Sequence, residues 1–243
     1  MTRFRMLQVF NQGELRAYAG SKTRIGWNTS PHFPGDGLTD RLVRALAEER
    51  ALPIKEVAEA FEFFAVVRKY LRKSPVVADL CSGHGLVGLL FAVFERRTQE
   101  VVLVDRRQPD GFALALAAAR RVAPWVEPKV RFQEGKLQDV RSGLAQGSAV
   151  VAVHACGELT DLCLDVADGL GGPFAVLPCC RSHARNPAPE GLRAALGEDV
   201  AYDVDRTYRL EARGYRVRWR TIPEAITPMN RVLIGVPRVA EPA

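Results

Sequence analysis

Val76-Val77-Ala78-Asp79-Leu80-Cys81-Ser82-Gly83-His84-Gly85-Leu86-Val87-Gly88 reads as a strand, a tight turn and a helix start. An apolar run ends on an acid, two glycines follow with one residue between them, and an amphipathic segment begins at once. Glycine lets backbone approach a ligand where a Cβ would collide, and a helix start offers unpaired N–H groups. The next apolar run, Val101-Val102-Leu103-Val104, closes on a second acid, Asp105. Two adjacent parallel strands would then carry carboxylates at their C-terminal ends. Such ends line the ligand crevice of an open α/β sheet.

Outward from this stretch the chain alternates. Strands are expected to end near Asp105, Gln133, His154 and Pro178, with helices over roughly 86–97, 111–122, 158–169 and 189–213, the last broken near Gly197. After Gly214, the alternation Tyr215-Val217-Trp219-Thr221 predicts a strand, and Arg231-Val232-Leu233-Ile234-Gly235-Val236 predicts another. Strand to strand with no helix between implies an antiparallel hairpin at the sheet edge. Upstream, residues 1–37 are irregular and rich in glycine and proline. A helix is expected over Arg41 to Glu49, started by Thr39-Asp40, and a second from Pro53 to about Lys73. In the second, Val57, Phe61, Phe64, Val67, Tyr70 and Leu71 form a broad apolar stripe expected to pack on the sheet. The fold class is therefore α/β: a Rossmann-like sheet, mostly parallel, with an antiparallel C-terminal hairpin and an N-terminal helical extension. The domain reading is an extension over 1–58, acting as a lid or substrate-binding element, and a Rossmann-like domain over 59–243.

The ligand can be narrowed. Gly83-His84-Gly85-Leu86-Val87-Gly88 fits the dinucleotide spacing G-x-G-x-x-G, which receives a pyrophosphate on the helix start. Asp79, however, stands just before the turn, where its charge opposes a pyrophosphate and suits a cationic ligand carrying an amino group. The stretch Asp79 to Gly85 resembles motif I of the class I S-adenosylmethionine-dependent methyltransferases, acid-x-x-x-Gly-x-Gly. That resemblance implies S-adenosyl-L-methionine as cofactor, with glycines under its methionine part, the first acid on its amino group and Asp105 on its ribose hydroxyls. The competing reading is a domain for nicotinamide dinucleotide, or a glycine turn with no ligand. One family position departs. After the third strand many members have Gly-Asp at the adenine amino group, whereas this chain has Glu134-Gly135-Lys136. The adenine contact then falls to backbone or to Leu137.

Two further motifs sit at predicted strand ends. The fourth strand runs into His154-Ala155-Cys156-Gly157-Glu158-Leu159-Thr160-Asp161, and the fifth into Pro178-Cys179-Cys180-Arg181-Ser182-His183. Both resemble a methyltransferase subgroup with His-x-Cys-x-x-x-Thr-Asp and Pro-Cys-Cys signatures. It includes tRNA 2′-O-methyltransferases acting on the acceptor stem and the methyltransferase-like region of the glutathione-S-transferase-C-terminal-domain-containing proteins. The zinc-finger-like modules of the tRNA enzymes have no counterpart here. The resemblance covers about residues 60–237. It implies a cofactor set of Asp79, Cys81, Ser82, Gly83, Gly85, Asp105, Arg106, Lys136, Leu137 and His154, and a transfer site of His154, Cys156, Cys180 and His183. Imidazole titrates near pH 6.5, so His154 suits a general base; the alternative is a hydrogen-bonded histidine in the pocket floor. Thr160-Asp161 is expected to cap the following helix, and Asn230 to satisfy turn backbone. No metal is expected. The Cys/His spacings are not those of a zinc finger, and adjacent cysteines on a strand point to opposite faces.

Composition bounds the partners. The chain has 243 residues, 47% hydrophobic and 26% charged, with net charge +6 and pI about 9.3. No apolar run approaches the roughly 20 residues of a membrane span, and no secretory signal is expected after Met1. Five cysteines, an odd number, suit a reduced, cytoplasmic setting better than a disulfide framework. Arginine outnumbers lysine, in pairs such as Arg96-Arg97, Arg106-Arg107 and Arg120-Arg121 and in the alternating Arg216, Arg218 and Arg220. Guanidinium groups grip phosphate, and together with the subgroup resemblance this implies RNA as the methyl acceptor, at a 2′-oxygen or a base nitrogen; the alternative for the arginines is solvated helix ends and sheet edges. A protein side chain or small molecule, or a non-catalytic binding role, is the alternative. The sequence sets no oligomeric state.

Overall fold

A computed structural model describes residues 2–178 and 187–238. The described strands are β1 (Val76–Leu80), β2 (Glu100–Asp105), β3 (Val130–Glu134), β4 (Ala149–Val153), β5 (Phe174–Leu177), β6 (Tyr215–Thr221) and β7 (Arg231–Pro237). They form one sheet in the order β3-β2-β1-β4-β5-β7-β6. β1 to β5 are parallel, and β7 runs antiparallel to both β5 and β6. The strand order reverses between β1 and β4, and a crevice opens there at the C-terminal ends of the strands. The hairpin occurs as expected, but its second strand lies inside the sheet. The sequence carries the reason. β7 is a continuous apolar run with Val232 to Gly235 buried, as a strand covered on both faces must be. β6 alternates arginine with apolar residues and takes the outer edge. Gly235 sits under the Phe174 ring, where an added Cβ would come within 2.2 Å of ring carbons.

The helices are α1 (Leu15–Tyr18), α2 (Leu38–Glu48), α3 (Ile54–Leu71), α4 (Leu86–Phe94), α5 (Asp110–Val122), α6 (Leu137–Val140), α7 (Leu159–Leu170), α8 (Glu190–Leu196) and α9 (Glu198–Ala212). α8 and α9 break at Gly197, whose φ of +74° needs no Cβ penalty. α2 starts earlier than expected: Asp40 does not open it but accepts the Gly35 N–H of the preceding loop (2.7 Å). One face of the sheet carries α3, α4 and α5; the other carries α7 and α9. Within the first layer Phe64 of α3 meets Phe91 of α4 edge-on, with ring centroids 4.9 Å apart.

The irregular N-terminal residues belong to this same core. Phe4, Leu7, Phe10, Ile25 and Phe33 are buried with α3 and α4. Backbone bonds tie Ile25 to Leu52 and Ile54 to Thr23 (2.8 and 2.9 Å), so the strap lies along the entry to α3. Glu62 of α3 is fully buried and accepts the N–H groups of Arg5 (2.7 Å), Met6 and Leu7 (both 3.0 Å). Burial pushes its carboxyl pKa up against those three bonds. The boundary expected at residue 58 falls inside α3.

Candidate active site

The turn between β1 and α4 is held in left-handed backbone at Cys81 (φ +55°), Gly83 (φ +52°) and Gly85 (φ +71°). The three glycines of the motif do different work. Above Gly83 there is open space, so a ligand can approach its backbone. Gly85 faces inward, where a Cβ would sit 2.6 Å from Leu103. Gly88 lets α4 lie against the sheet: a Cβ there would meet Leu103 at 2.4 Å and Val101 at 2.9 Å. The expectation that both Gly83 and Gly85 make room for ligand is therefore corrected for Gly85, which makes room for the core.

Asp79 is 2% exposed, and its Oδ2 accepts the Gly88 N–H (2.8 Å). Burial pushes its pKa up to about 8; the Gly88 bond opposes that shift and the nearby Asp105 charge adds to it. Asp105 accepts two backbone N–H groups, from Gly83 at Oδ2 (2.8 Å) and Arg106 at Oδ1 (2.7 Å). It thereby fixes the glycine turn, with lone pairs left on both oxygens.

Two cavities flank this turn. The first, about 300 Å³, is lined by Asp79, Ser82, Gly83, His84, Glu56 and Glu59 among others. The second, about 390 Å³, is lined by Asp105, Arg106, Gly135, Lys136, Leu137 and Glu158 among others. Cys81 and His154 line both. The site thus joins nearly all of the expected cofactor set in one crevice, Gly85 excepted. The departure at Glu134 has a local cause: its Oε1 accepts the Gln108 N–H (2.9 Å), bracing the loop after β2. Lys136 and Leu137 stand on the cavity wall beyond it.

His154 also has left-handed backbone (φ +60°), and its Nε2 pairs with Glu59 Oε2. His84 Nε2 pairs with Glu56 Oε2 at 2.5 Å, a bond that lowers the Glu56 pKa. Two histidines from the sheet edge are therefore held by two carboxylates of α3. Sequence reasoning missed Glu56 and Glu59. The signal was available: Glu56, Glu59 and Glu62 recur every third residue, and from Val57 to Val67 the helix is otherwise apolar. Beneath the turn, Cys163 hydrogen-bonds Cys81 and lowers its thiol pKa, while the buried Cys163 is itself held well above the usual thiol range.

Cys156 is exposed and lines neither cavity. Cys180 and His183 lie outside the described residues. Thr160 and Asp161 do not cap α7. Thr160 donates to the Ala155 carbonyl (2.5 Å), and Asp161, 2% exposed, pairs with Arg206 (3.0 and 3.3 Å) and Arg209 (3.4 Å). Asp203, fully buried, stands 3.7 Å from Arg206 and accepts Arg231 Nε (2.8 Å). Asn230 donates to the Ile222 carbonyl (2.9 Å), the turn role expected of it.

These residues suit an extended ligand with a cationic end and a hydroxyl-bearing end. Glu59 Oε1, Ser82 Oγ and His84 Nδ1 are buried polar atoms with no partner among the described residues, and all three residues line the first cavity. Asp105, beside the second, can accept hydroxyl hydrogens. The family described as "Methyltransferase domain" matches residues 54–187, more than half of the chain. The chain belongs to that family. It carries a methyltransferase domain, and the crevice fits S-adenosyl-L-methionine as its cofactor.

The methyltransferase is similar to glutathione S-transferase C-terminal domain-containing proteins. It is 22% identical to that of Xenopus laevis over 250 residues and 23% identical to that of Homo sapiens over 251. Both alignments cover 88% of this chain; it spans 38% of the first relative and 37% of the second. Among solved structures, a fibrillarin pre-rRNA processing protein of Methanococcus jannaschii shares the fold with TM-score 0.50 and 12% identity, over 75% of this chain and 74% of that one. An O-methyltransferase family protein from Burkholderia thailandensis is 18% identical with TM-score 0.45, over 88% of this chain and 64% of that one.

Proposed function

We propose that this methyltransferase modifies RNA, at a ribose 2′-oxygen or a base nitrogen of a tRNA-like acceptor. The observation that carries this reading is the basic rim of the second cavity. Arg106 and Lys136 line it and Arg107 follows; all three are exposed, and among the described residues none pairs with a carboxylate. With a net charge of +6, that rim suits a phosphate backbone.

When bound, S-adenosyl-L-methionine supplies a methyl group on a positively charged sulfur. The protein's part is positioning and proton handling. Asp105 would hold the ribose hydroxyls, Leu137 and Arg106 the adenine, and Asp79, Ser82 and Gly83 the methionine end. His154 stands on the wall common to both cavities. With Nε2 held by Glu59, its Nδ1 is the nitrogen that accepts the acceptor's proton. Cys156 follows β4 on the side of the sheet where the acceptor would enter. No described helix is long and apolar enough to cross a membrane. Among the described residues Cys81 and Cys163 meet as thiols with no disulfide between them, which suits a reduced cytoplasmic setting.

Transfer of labelled methyl from S-adenosyl-L-methionine to unmodified tRNA, measured across a salt series, tests the acceptor. RNA contact predicts log binding falling linearly with log salt, with a slope of about −0.9 per duplex phosphate neutralised. Label appearing in a protein or small-molecule fraction, without salt dependence, would replace RNA as the acceptor.

A further inference from the structure

The α3 carboxylates were not foreseen from sequence, and Glu59 is the more telling of the two. It is 1% exposed, its Oε2 is taken by His154, and its Oε1 has no partner among the described residues. A buried acceptor left unpaired is costly, and native structures keep few of them. A carboxylate only accepts, so the missing partner is a hydrogen-bond donor. Glu59, Glu56 and Asp79 all line the first cavity, which makes that donor a cation. The sulfonium of the cofactor carries no N–H. Its α-ammonium carries three donors, enough for Glu59 and Asp79 together.

We infer that Glu59 is a binding residue for the cofactor, its free Oε1 receiving the α-ammonium group while Oε2 holds His154. This rests on the reading that the methionine end occupies the cavity beside Asp79. It makes α3 part of the binding site rather than a cover over it. One carboxylate then links cofactor occupancy to the orientation of His154: the ammonium ties down one oxygen and the imidazole the other.

Calorimetric titration with S-adenosylhomocysteine and with its analogue lacking the α-amino group tests the inference without turnover. Wild-type protein is expected to prefer the aminated ligand by at least about tenfold. Glu59→Gln should lose most of that preference while binding the deaminated ligand as wild type does. His154→Ala, which leaves Glu59 in place, should keep it. If Glu59→Gln does not fold, as judged by circular dichroism, Glu59→Asp is measured instead, and withdrawal of the oxygen should again lower the preference. Three results would overturn the inference: equal weakening of both ligands by the Glu59 change, loss of the preference in His154→Ala, or a wild-type protein indifferent to the amino group. Wild-type binding of neither ligand would overturn the placement of the cofactor itself, a different failure.

Discussion

Asp79 and Asp161 are each 2% exposed, yet they stand in opposite electrostatic circumstances. Asp161 is met by two guanidinium groups, and the neighbouring Asp203 by Arg231. Asp79 has one backbone N–H and a second carboxylate nearby. The first acid is neutralised within the fold and serves to hold α7 against α9. The second holds its proton to about pH 8 and faces a cavity. A buried carboxylate therefore says little until its partners are counted: Asp161 is matched by cations within the fold, and among the described residues Asp79 is not. Perturbed acids in clefts mark functional sites on this ground.

The largest effect that would sharpen the contrast lies on the neutralised side. Arg206→Met removes the fully buried cation between Asp161 and Asp203, leaving them only the half-buried Arg209 and Arg231, and should cost about 3–5 kcal/mol in a urea or guanidinium titration. A loss below about 1 kcal/mol would mean that the cluster is not structural.

On the other side, Asp79→Asn should fold with stability equal to or above wild type. It should weaken S-adenosylhomocysteine by the worth of a charge-assisted hydrogen bond, about 1.5–3 kcal/mol by calorimetry. If Asp79→Asn unfolds as Arg206→Met does, the two acids are alike and the comparison fails.

The pH dependence gives a subtler measure. The Asp79 pKa is about 8 in the fold, above its ordinary value of 3.8. Between those pH values the folded chain holds a proton that the unfolded chain has lost, so the Asp79 contribution to stability falls as pH rises from about 4 to 8. Asp79→Asn should flatten that decline in denaturation midpoints taken across the window. Binding of a cationic ligand should also expel the proton near pH 7, seen as a buffer-dependent heat of binding that the Asn variant lacks.

The smallest effect belongs to a charge that is neither buried nor paired among the described residues. Arg106→Ala should leave stability within about 0.5 kcal/mol. It should lower the salt slope of tRNA binding by about one phosphate contact, and an unchanged slope would take Arg106 off the RNA path.

How legible each residue was depended on how far its partner lies along the chain. Asp79, Gly83 and Asp105 announce themselves locally, because strand, acid and glycine turn follow one another within a few residues. The placing of β7 inside β6 is also written locally, in a continuous apolar run set against an alternating one. Glu59 meets His154 across 95 positions, and Asp161 meets Arg206 across 45. No window of sequence holds both members of either pair. Thr160-Asp161 therefore read as a helix cap, the nearest job on offer, although the Asp161 partner comes from a distant helix. The glycine spacing likewise showed that backbone must pass closely at Gly85 but not what it passes, which proves to be Leu103.

The three backbone N–H groups gathered by Glu62 set the limits of what can be transplanted. The family match opens at residue 54, at the start of α3, and suggests a cut there. Such a cut would strip Glu62 of the donors from Arg5, Met6 and Leu7 and bare the apolar side of α3 that Phe4, Leu7 and Phe10 share in covering. The same helix carries Glu56 and Glu59 into the first cavity. Anyone grafting this catalytic unit onto another scaffold should carry the opening strap along, since the passenger and its leading segment travel as a single cargo.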